Sequence, residues 1–301
     1  VDLKGFQIMG ATLQKANGNY IMQGRKLSGQ RITLDYPSHT GTENLIMAAC
    51  LASGTTIVEN ASVEPEVVDL ANCLNAMGAR ISGAGTGIIQ IEGVKRLHGV
   101  AYRIMPDRLE AGTLALAALI TGGQITLRER VSQYLGSLTA KLAEAGAKVQ
   151  AERDIYRVAP GASLSAVDIR TFPYPGFPTD IQAPFATLMT QAHGESLIYE
   201  TMYDNRLTYV KELRKMGAQI RVKGQTAVVH GPTPLSGAEV TALDIRSGAA
   251  VVLAGLAAEG ITQVSDVHYI DRGYEHLDTR LTELGARIQR ICDSEDRCLP
   301  S

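Results

Sequence analysis

A Gly-Ala dipeptide recurs five times along this 301-residue chain, at Gly10-Ala11, Gly78-Ala79, Gly146-Ala147, Gly217-Ala218 and Gly285-Ala286. Each copy closes a helix-like stretch and opens a strand-like one, and the intervals are 68, 68, 71 and 68 residues. A fixed period of this length marks a fold assembled from one repeated supersecondary unit. Two helices separate successive markers, yet the first marker stands close to the start, and Val1 is not an initiator Met. The first copy is therefore expected to lack its front, as in a fragment or trimmed form of a longer protein.

Laying the copies on one another gives the unit. A first apolar helix (Glu43 to Ala52, Leu109 to Ile120, Ile181 to Ala192, Gly248 to Ala258) runs into Gly54, Gly123, Gly194 and Gly260, where a left-handed helix stop is expected. A short strand rich in β-branched residues follows, such as Thr55-Thr56-Ile57-Val58. A polar loop, a second amphipathic helix ending at the marker and a hairpin pair of strands complete an α-β-α-β-β order. Such a unit buries helix faces and one sheet face together, which predicts an α/β globule with helices inside and sheets outside. Hydrophobic residues make up 45% of the chain, enough for two compact lobes, and the 30 glycines match the many turns.

A net charge of −2 argues against a nucleic-acid or membrane surface chosen by bulk electrostatics, and no stretch reads as a transmembrane helix or signal peptide. The cysteines Cys50, Cys73, Cys292 and Cys298 fit no zinc or redox spacing. Cys50 and Cys73 read as core residues of a reduced, cytoplasmic protein, whereas Cys292 and Cys298 belong to a polar tail, 292–301, with no assigned role. The histidines form no metal-binding spacing, so neither a metal nor a cofactor is expected.

Chemistry enters through polar stations at fixed places in the repeat. One precedes each first helix: Ser38-His39-Thr40-Gly41, Pro106-Asp107-Arg108, Pro178-Thr179-Asp180 and Asp244-Ile245-Arg246-Ser247. A second lies between strand and second helix: Glu64-Pro65-Glu66, Arg128-Glu129-Arg130, Asp204-Asn205-Arg206 and Asp271-Arg272-Gly273-Tyr274-Glu275. Shared topology should bring the stations to one edge, where helix N-termini converge and favour anions such as phosphate or carboxylate. Thr40-Gly41-Thr42-Glu43 and Thr179-Asp180-Ile181-Gln182 also match the capping box, so those threonines are expected to cap. Asp180 is not needed for a cap, and the Pro-rich run Phe172 to Pro178 before it would hold its carboxylate rigidly at a cleft edge. Arg206, Arg246 and Arg272 are either oxyanion ligands or part of a solvated face.

The runs Glu64-Pro65-Glu66-Val67-Val68-Asp69, Pro106 to Thr113, Phe177-Pro178-Thr179-Asp180-Ile181-Gln182-Ala183, Asp204-Asn205-Arg206 and Ile270 to Glu275 resemble the UDP-N-acetylglucosamine enolpyruvyl transferase family, over residues 1 to about 291. The resemblance implies inside-out α/β barrel lobes built from α-β-α-β-β repeats of about 68 residues, N-terminally truncated, with the active site between lobes. Residues 1–105 would be the remainder of the first lobe, 106–291 the second, which in the family also takes a strand from the extreme N-terminus, and 292–301 the tail. The implied reaction moves the enolpyruvyl group of phosphoenolpyruvate to the 3-hydroxyl of UDP-N-acetylglucosamine, the first committed step of peptidoglycan synthesis.

By the same resemblance, Asp180 is the general base at the sugar 3-hydroxyl. Arg272 holds the phosphate and Arg246 the carboxylate of phosphoenolpyruvate. Glu64 and Asp107 line the cleft, Glu64 near the methylene carbon, and Arg206 helps order the closed lobes. Ser38 and His39 wrap the nucleotide diphosphate, and Met202 lies beside the nucleotide. The loop Tyr36 to Thr40 departs from the Val-Gly-rich form common in the family. Family members carry a Lys-Asn pair, further arginines and a mobile loop with a general-acid Cys in a more N-terminal region. None of the cysteines here stands in that loop, so the 301 residues alone are expected to be inactive, and to self-associate through the truncated face. Two alternatives stay open: a degenerate paralogue that binds a nucleotide sugar without catalysis, and a sibling transferase acting on shikimate 3-phosphate. The second fits poorly with a first station, Ser38 to Gly41, that contains no Arg or Lys.

Overall fold

The computed structural model of the chain describes residues 2–24, 26–128 and 130–291. Glu129 of the second-station series and the tail with Cys292 and Cys298 lie outside the described residues. Two compact units are present, one comprising residues 1–106 with 173–175, the other 107–172 with 176–301.

All five marker glycines adopt left-handed backbone, with φ between +91° and +103°. At each, the Gly N–H bonds the carbonyl three residues back and the Ala N–H the carbonyl five back, as in Gly78 to Asn75 and Ala79 to Leu74, at 2.9 to 3.1 Å. This is the Schellman closure, which only glycine adopts without a Cβ penalty, and the adjoining alanine turns inward against the core. The expected stops after the first helices differ. Gly54, Gly194 and Gly260 are left-handed but lie several residues beyond their helices, at the head of the next strand. In the copy with two adjacent glycines the left-handed residue is Gly122, whose N–H bonds Leu119, and not Gly123.

The first unit opens with α1 (Asp2–Ile8) and the hairpin β1 (Thr12–Ala16) and β2 (Asn19–Gln23). A full copy of the repeat follows: β3 (Arg31–Thr33), α2 (His39–Ala49), β4 (Thr55–Glu59), α3 (Pro65–Ala76), β5 (Arg80–Ser82) and β6 (Ile88–Glu92). The sheet order is β3-β4-β6-β5, with β3 parallel to β4 and the other pairs antiparallel. Alternation sends Thr56 and Val58 of β4 inward, where they face Ile91 and Ile89 of β6 across the ladder. The stripe Leu45, Ile46 and Ala49 of α2 closes that core together with buried Cys50, whose thiol pKa burial raises.

The second unit contains α4 (Arg108–Ile120), β7 (Ile125–Leu127), α5 (Gly136–Glu144), β8 (Lys148–Ala151) and β9 (Tyr156–Ala159). Next come β10 (Ile169–Arg170), α6 (Thr179–Met189), β11 (Gly194–Tyr199), α7 (Val210–Lys215), β12 (Gln219–Lys223) and β13 (Thr226–Gly231). The last copy comprises β14 (Glu239–Thr241), α8 (Ile245–Ala257), β15 (Gln263–Ser265), α9 (His268–Asp271) and α10 (Leu277–Glu283). The sheets run β7-β9-β8, β10-β11-β13-β12 and β14-β15.

Helices α4, α6 and α8 pack on one another at the centre. Every residue of α6 except Asp180 is buried, and a Cβ on Gly112 of α4 would stand 2.5 Å from Ile181, so glycine sets how closely those helices approach. Helices are inside and sheets outside, as the repeat implied. The copies also hold an element the sequence reading missed. β3, β10 and β14 precede the first helix and pair in parallel with the strand after it, making the unit β-α-β-α-β-β. At two or three residues each, these strands are too short to carry a period of their own.

Candidate active site

In the second unit, three stations meet on one carboxylate. Asp180 is the second residue of α6, and its Oδ1 accepts from Nη2 of Arg206 at 2.5 Å while Oδ2 accepts from Nη2 of Arg246 at 3.0 Å. Arg206 comes from the loop after β11, Arg246 from the first turn of α8. Burial pushes the Asp180 pKa up, but Arg246 and then Arg206 outweigh it and hold the carboxyl below its ordinary range. Asp180 is thus ionised at neutral pH.

Arg246 is held from several sides. Asp244 caps α8 by accepting from the N–H groups of Arg246 and Ser247, both at 2.8 Å, and the Ser247 hydroxyl accepts from the Asp244 N–H, completing a capping box. The guanidinium lies over the ring of Tyr274, 5.3 Å from its centroid, and the buried Tyr274 hydroxyl is 3.0 Å from Oγ1 of Thr113 on α4. Nη1 of Arg246 is buried and has no hydrogen-bond partner among the described residues. Asp244 answers the N-terminus of α8, so Asp180 alone answers the two guanidiniums, and the buried Nη1 of Arg246 is left as a donor for an anion.

Arg272 is not part of this cluster. It follows α9, is exposed, and its side chain has no hydrogen-bond or ion-pair partner among the described residues, whereas its neighbour Gly273 packs against Ile245 and lies near Nη1 of Arg246. Asp271 of the same station pairs instead with Arg290 at 2.6 Å, and Arg130 pairs with Asp154 at 2.8 Å. Within the second unit the structure brings Asp180, Arg206 and Arg246 together, while Arg130 and Asp271 go to local pairs. Met202 is half-buried, its N–H given to Glu200. Asp107 caps α4, with Oδ1 accepting from Leu109 and Glu110 at 2.7 and 3.0 Å.

In the first unit, Ser38 caps α2 by accepting from the Gly41 N–H at 3.1 Å. The cap is thus Ser38 and not Thr40, because the helix begins at His39. His39 contacts Glu43 at 3.1 Å; burial lowers its pKa, but Glu43, Glu66 and Glu64 together raise it above the ordinary imidazole value. Glu64 stands at the head of α3, and its Oε1 accepts from the N–H of Tyr174 at 3.3 Å. Thr179 does not cap α6 either: its hydroxyl donates to Oε2 of Glu200 at 2.8 Å, and Gln182 is fully buried without reaching back.

Glu200 escaped the sequence reading. The signal was available, since alternation along β11 buries Ser196 and Ile198 and so aims residue 200 inward, and an acidic residue in a buried phase needs a partner. Among the described residues no group of three or more His, Cys, Asp or Glu is arranged to hold a metal ion, and no helix is long and apolar enough to cross a membrane.

A fold of helix-centred repeats with an anion-seeking, carboxylate-bearing cluster at helix N-termini is that of the enolpyruvyl transferases. The family model for EPSP synthase (3-phosphoshikimate 1-carboxyvinyltransferase) matches residues 2–281. The enolpyruvyl transferase NikO from Streptomyces tendae superposes with a TM-score of 0.86 at 26% identity, over 95% of this chain and 71% of that one. EPSP synthase from Acinetobacter baumannii shares the fold, with a TM-score of 0.64 at 19% identity over 95% of this chain and 70% of that one. UDP-N-acetylglucosamine 1-carboxyvinyltransferase 1 of Caldanaerobacter subterraneus is 49% identical over 96% of this chain and 69% of its own length. The protein of the same name from Halalkalibacterium halodurans is 49% identical over 97% of this chain and 67% of its own. The chain belongs to the carboxyvinyltransferase family and, within it, to the UDP-N-acetylglucosamine 1-carboxyvinyltransferases.

Proposed function

We propose that the protein transfers the enolpyruvyl group of phosphoenolpyruvate to the 3-hydroxyl of UDP-N-acetylglucosamine, the first committed step of peptidoglycan synthesis, in the cytoplasm. The observation that carries this reading is the Arg206–Asp180–Arg246 cluster, an ionised carboxylate between two guanidiniums, one of which keeps a buried N–H unpaired. In the proposed reaction the sugar oxygen adds to C2 of phosphoenolpyruvate, C3 takes up a proton, and a phosphate-bearing tetrahedral intermediate forms. Loss of a C3 proton then expels inorganic phosphate and leaves the enol ether.

Asp180 takes the proton of the sugar hydroxyl. A carboxylate locked by two guanidiniums is a weak base, and the same geometry supplies the remedy. When the carboxylate of phosphoenolpyruvate takes Arg246, Asp180 loses one of its two cationic partners and becomes more basic. Arg272 binds the phosphate from its exposed position, Arg206 keeps Asp180 oriented, and Met202 and Asp107 bound the substrate. In the first unit, Ser38 and His39 at the head of α2 receive the diphosphate, and Glu64 faces the methylene carbon. Residues 1–105 and 106–291 act as the two lobes.

The test is phosphate release on mixing phosphoenolpyruvate with UDP-N-acetylglucosamine, alongside calorimetric titration of the nucleotide sugar. Binding with stoichiometric phosphate release is expected of the intact enzyme. Binding without release at any enzyme concentration would indicate a non-catalytic nucleotide-sugar binder, and release only with shikimate 3-phosphate would reassign the acceptor. Light scattering on the same sample reads whether the chain self-associates.

A further inference from the structure

The carboxylate of Glu200 is 1% exposed and accepts four hydrogen bonds. Oε1 takes the hydroxyl of Thr171 at 2.9 Å and the backbone N–H groups of Met202 and Tyr203 at 2.8 and 3.2 Å; Oε2 takes the hydroxyl of Thr179 at 2.8 Å. Its own N–H is bonded to the carbonyl of Gln225 at 2.9 Å, so the residue is anchored on the sheet as well. A buried carboxylate is tolerated only with such a set of donors, and removing it would orphan all four.

The donors come from three segments, and two of them lead directly to the ion pair. Thr179 is the first residue of α6 and the neighbour of Asp180; since Pro178 at the cap position offers no side-chain cap, the hydroxyl of Thr179 is the tie that fixes this helix start. Tyr203 lies in the loop that delivers Arg206, and the Arg206 guanidinium lies over the Tyr203 ring, 5.0 Å from its centroid. Thr171, just after β10, is cross-linked to the same loop by the N–H of Thr201, which donates to the Thr171 hydroxyl at 2.9 Å.

We propose that Glu200 is a positioning residue that holds both halves of the Asp180–Arg206 pair in register, one through Thr179 and the other through the Met202–Tyr203 backbone. Its consequence for turnover rests on the reading of Asp180 as the base; its consequence for the geometry of Asp180 does not. The charged and titratable groups facing Asp180 are Arg206, Arg246 and Tyr274, and Tyr209 faces Glu200.

The experiment is carbon-13 NMR titration of the Asp180 carboxyl together with pH profiles of kcat and kcat/KM, in the wild-type enzyme, Glu200→Gln, Glu200→Ala and Thr179→Val. Glu200→Ala frees Asp180 from Arg206, so its carboxyl should titrate about one pH unit higher, the acidic limb of kcat/KM should follow, and kcat should fall about 100-fold. Glu200→Gln keeps the shape, its amide oxygen can accept from Thr171, Met202 and Tyr203, and its NH2 can donate to Thr179; it should stay within about three-fold of wild type. Thr179→Val cuts only the tie to α6 and should move the titration in the same direction by less. A Glu200→Ala enzyme that melts earlier but titrates and turns over as wild type would overturn the proposal. Should Glu200→Ala fail to fold, an unchanged Asp180 titration in Thr179→Val overturns it equally. Asp180→Asn with undiminished turnover would remove the base reading alone, and the NMR titration would still judge Glu200.

Discussion

The starts of α2 and α6 occupy the same place in the repeat and are built in opposite ways. At α2 the cap and the first ion pair are local: Ser38 caps the helix, and His39 reaches Glu43 one turn on. At α6 the side-chain ties of the first two residues are tertiary. Pro178 offers no side-chain cap, Thr179 is tied to Glu200, and Asp180 is held by arginines 26 and 66 residues away in sequence. A locally capped helix start keeps its shape whatever surrounds it. One held by tertiary partners can be re-set when a ligand takes one of those partners, which is what an acid–base site needs.

The sharpest way to break this contrast is Asp180→Ala, expected to lower kcat by about 1,000-fold with the fold intact, measured by phosphate release. Near-wild-type turnover would leave α6 without the chemical role that separates it from α2. Next is Arg246→Met, expected to raise the KM for phosphoenolpyruvate about 100-fold, the loss of a charge-assisted pair with an oxyanion. A rise confined to the KM of the nucleotide sugar would move Arg246 away from phosphoenolpyruvate.

Smaller effects sharpen the local side. Ser38→Ala should cost about 1 kcal/mol of stability, read from denaturant unfolding, as for an ordinary cap. Gly78→Ala should cost a similar amount, about 1 kcal/mol, because φ is +98° there and a Cβ would stand 3.2 Å from the His98 ring. The smallest expected effect is in pH. His39 has its pKa raised by Glu43, Glu66 and Glu64 against burial, so its positive charge is fully present below the ordinary imidazole value and is lost as pH rises through the raised one. Nucleotide-sugar affinity should weaken several-fold across that rise, and calorimetry on His39→Gln should show the slope gone. Asp180 has the opposite sign: the stabilisation from its ion pairs is full above the unfolded aspartate value and fades as pH falls through the depressed folded one. Acid unfolding of Asp180→Asn should lack that component.

Legibility in the sequence followed the range of the interaction. The Gly-Ala markers could be read because a Schellman closure is completed within six residues, and all five have that geometry. The strands β3, β10 and β14 could not, since two or three residues show no alternation and their parallel partners lie beyond a helix. Asp180, Arg206 and Arg246 stood out as unexplained charges at repeated places, and the structure brings them together, whereas Arg272, singled out on the same grounds, stands apart in solvent. The two supposed capping boxes matched in spelling but not in phase, because one helix starts at His39 and the other yields its threonine to Glu200.

By itself, then, the sequence determined the repeat, its helix stops, the inward placement of its helices and the stations where charge gathers, all properties of hydrogen bonds and side-chain periods closed within a few residues. Tertiary structure alone decided which charges pair, which hydroxyl is a cap and which a tether, and that a buried glutamate should hold the two halves of an ion pair. Those outcomes depend on distances between segments far apart in the chain, and such distances are set only when the helices and sheets have packed.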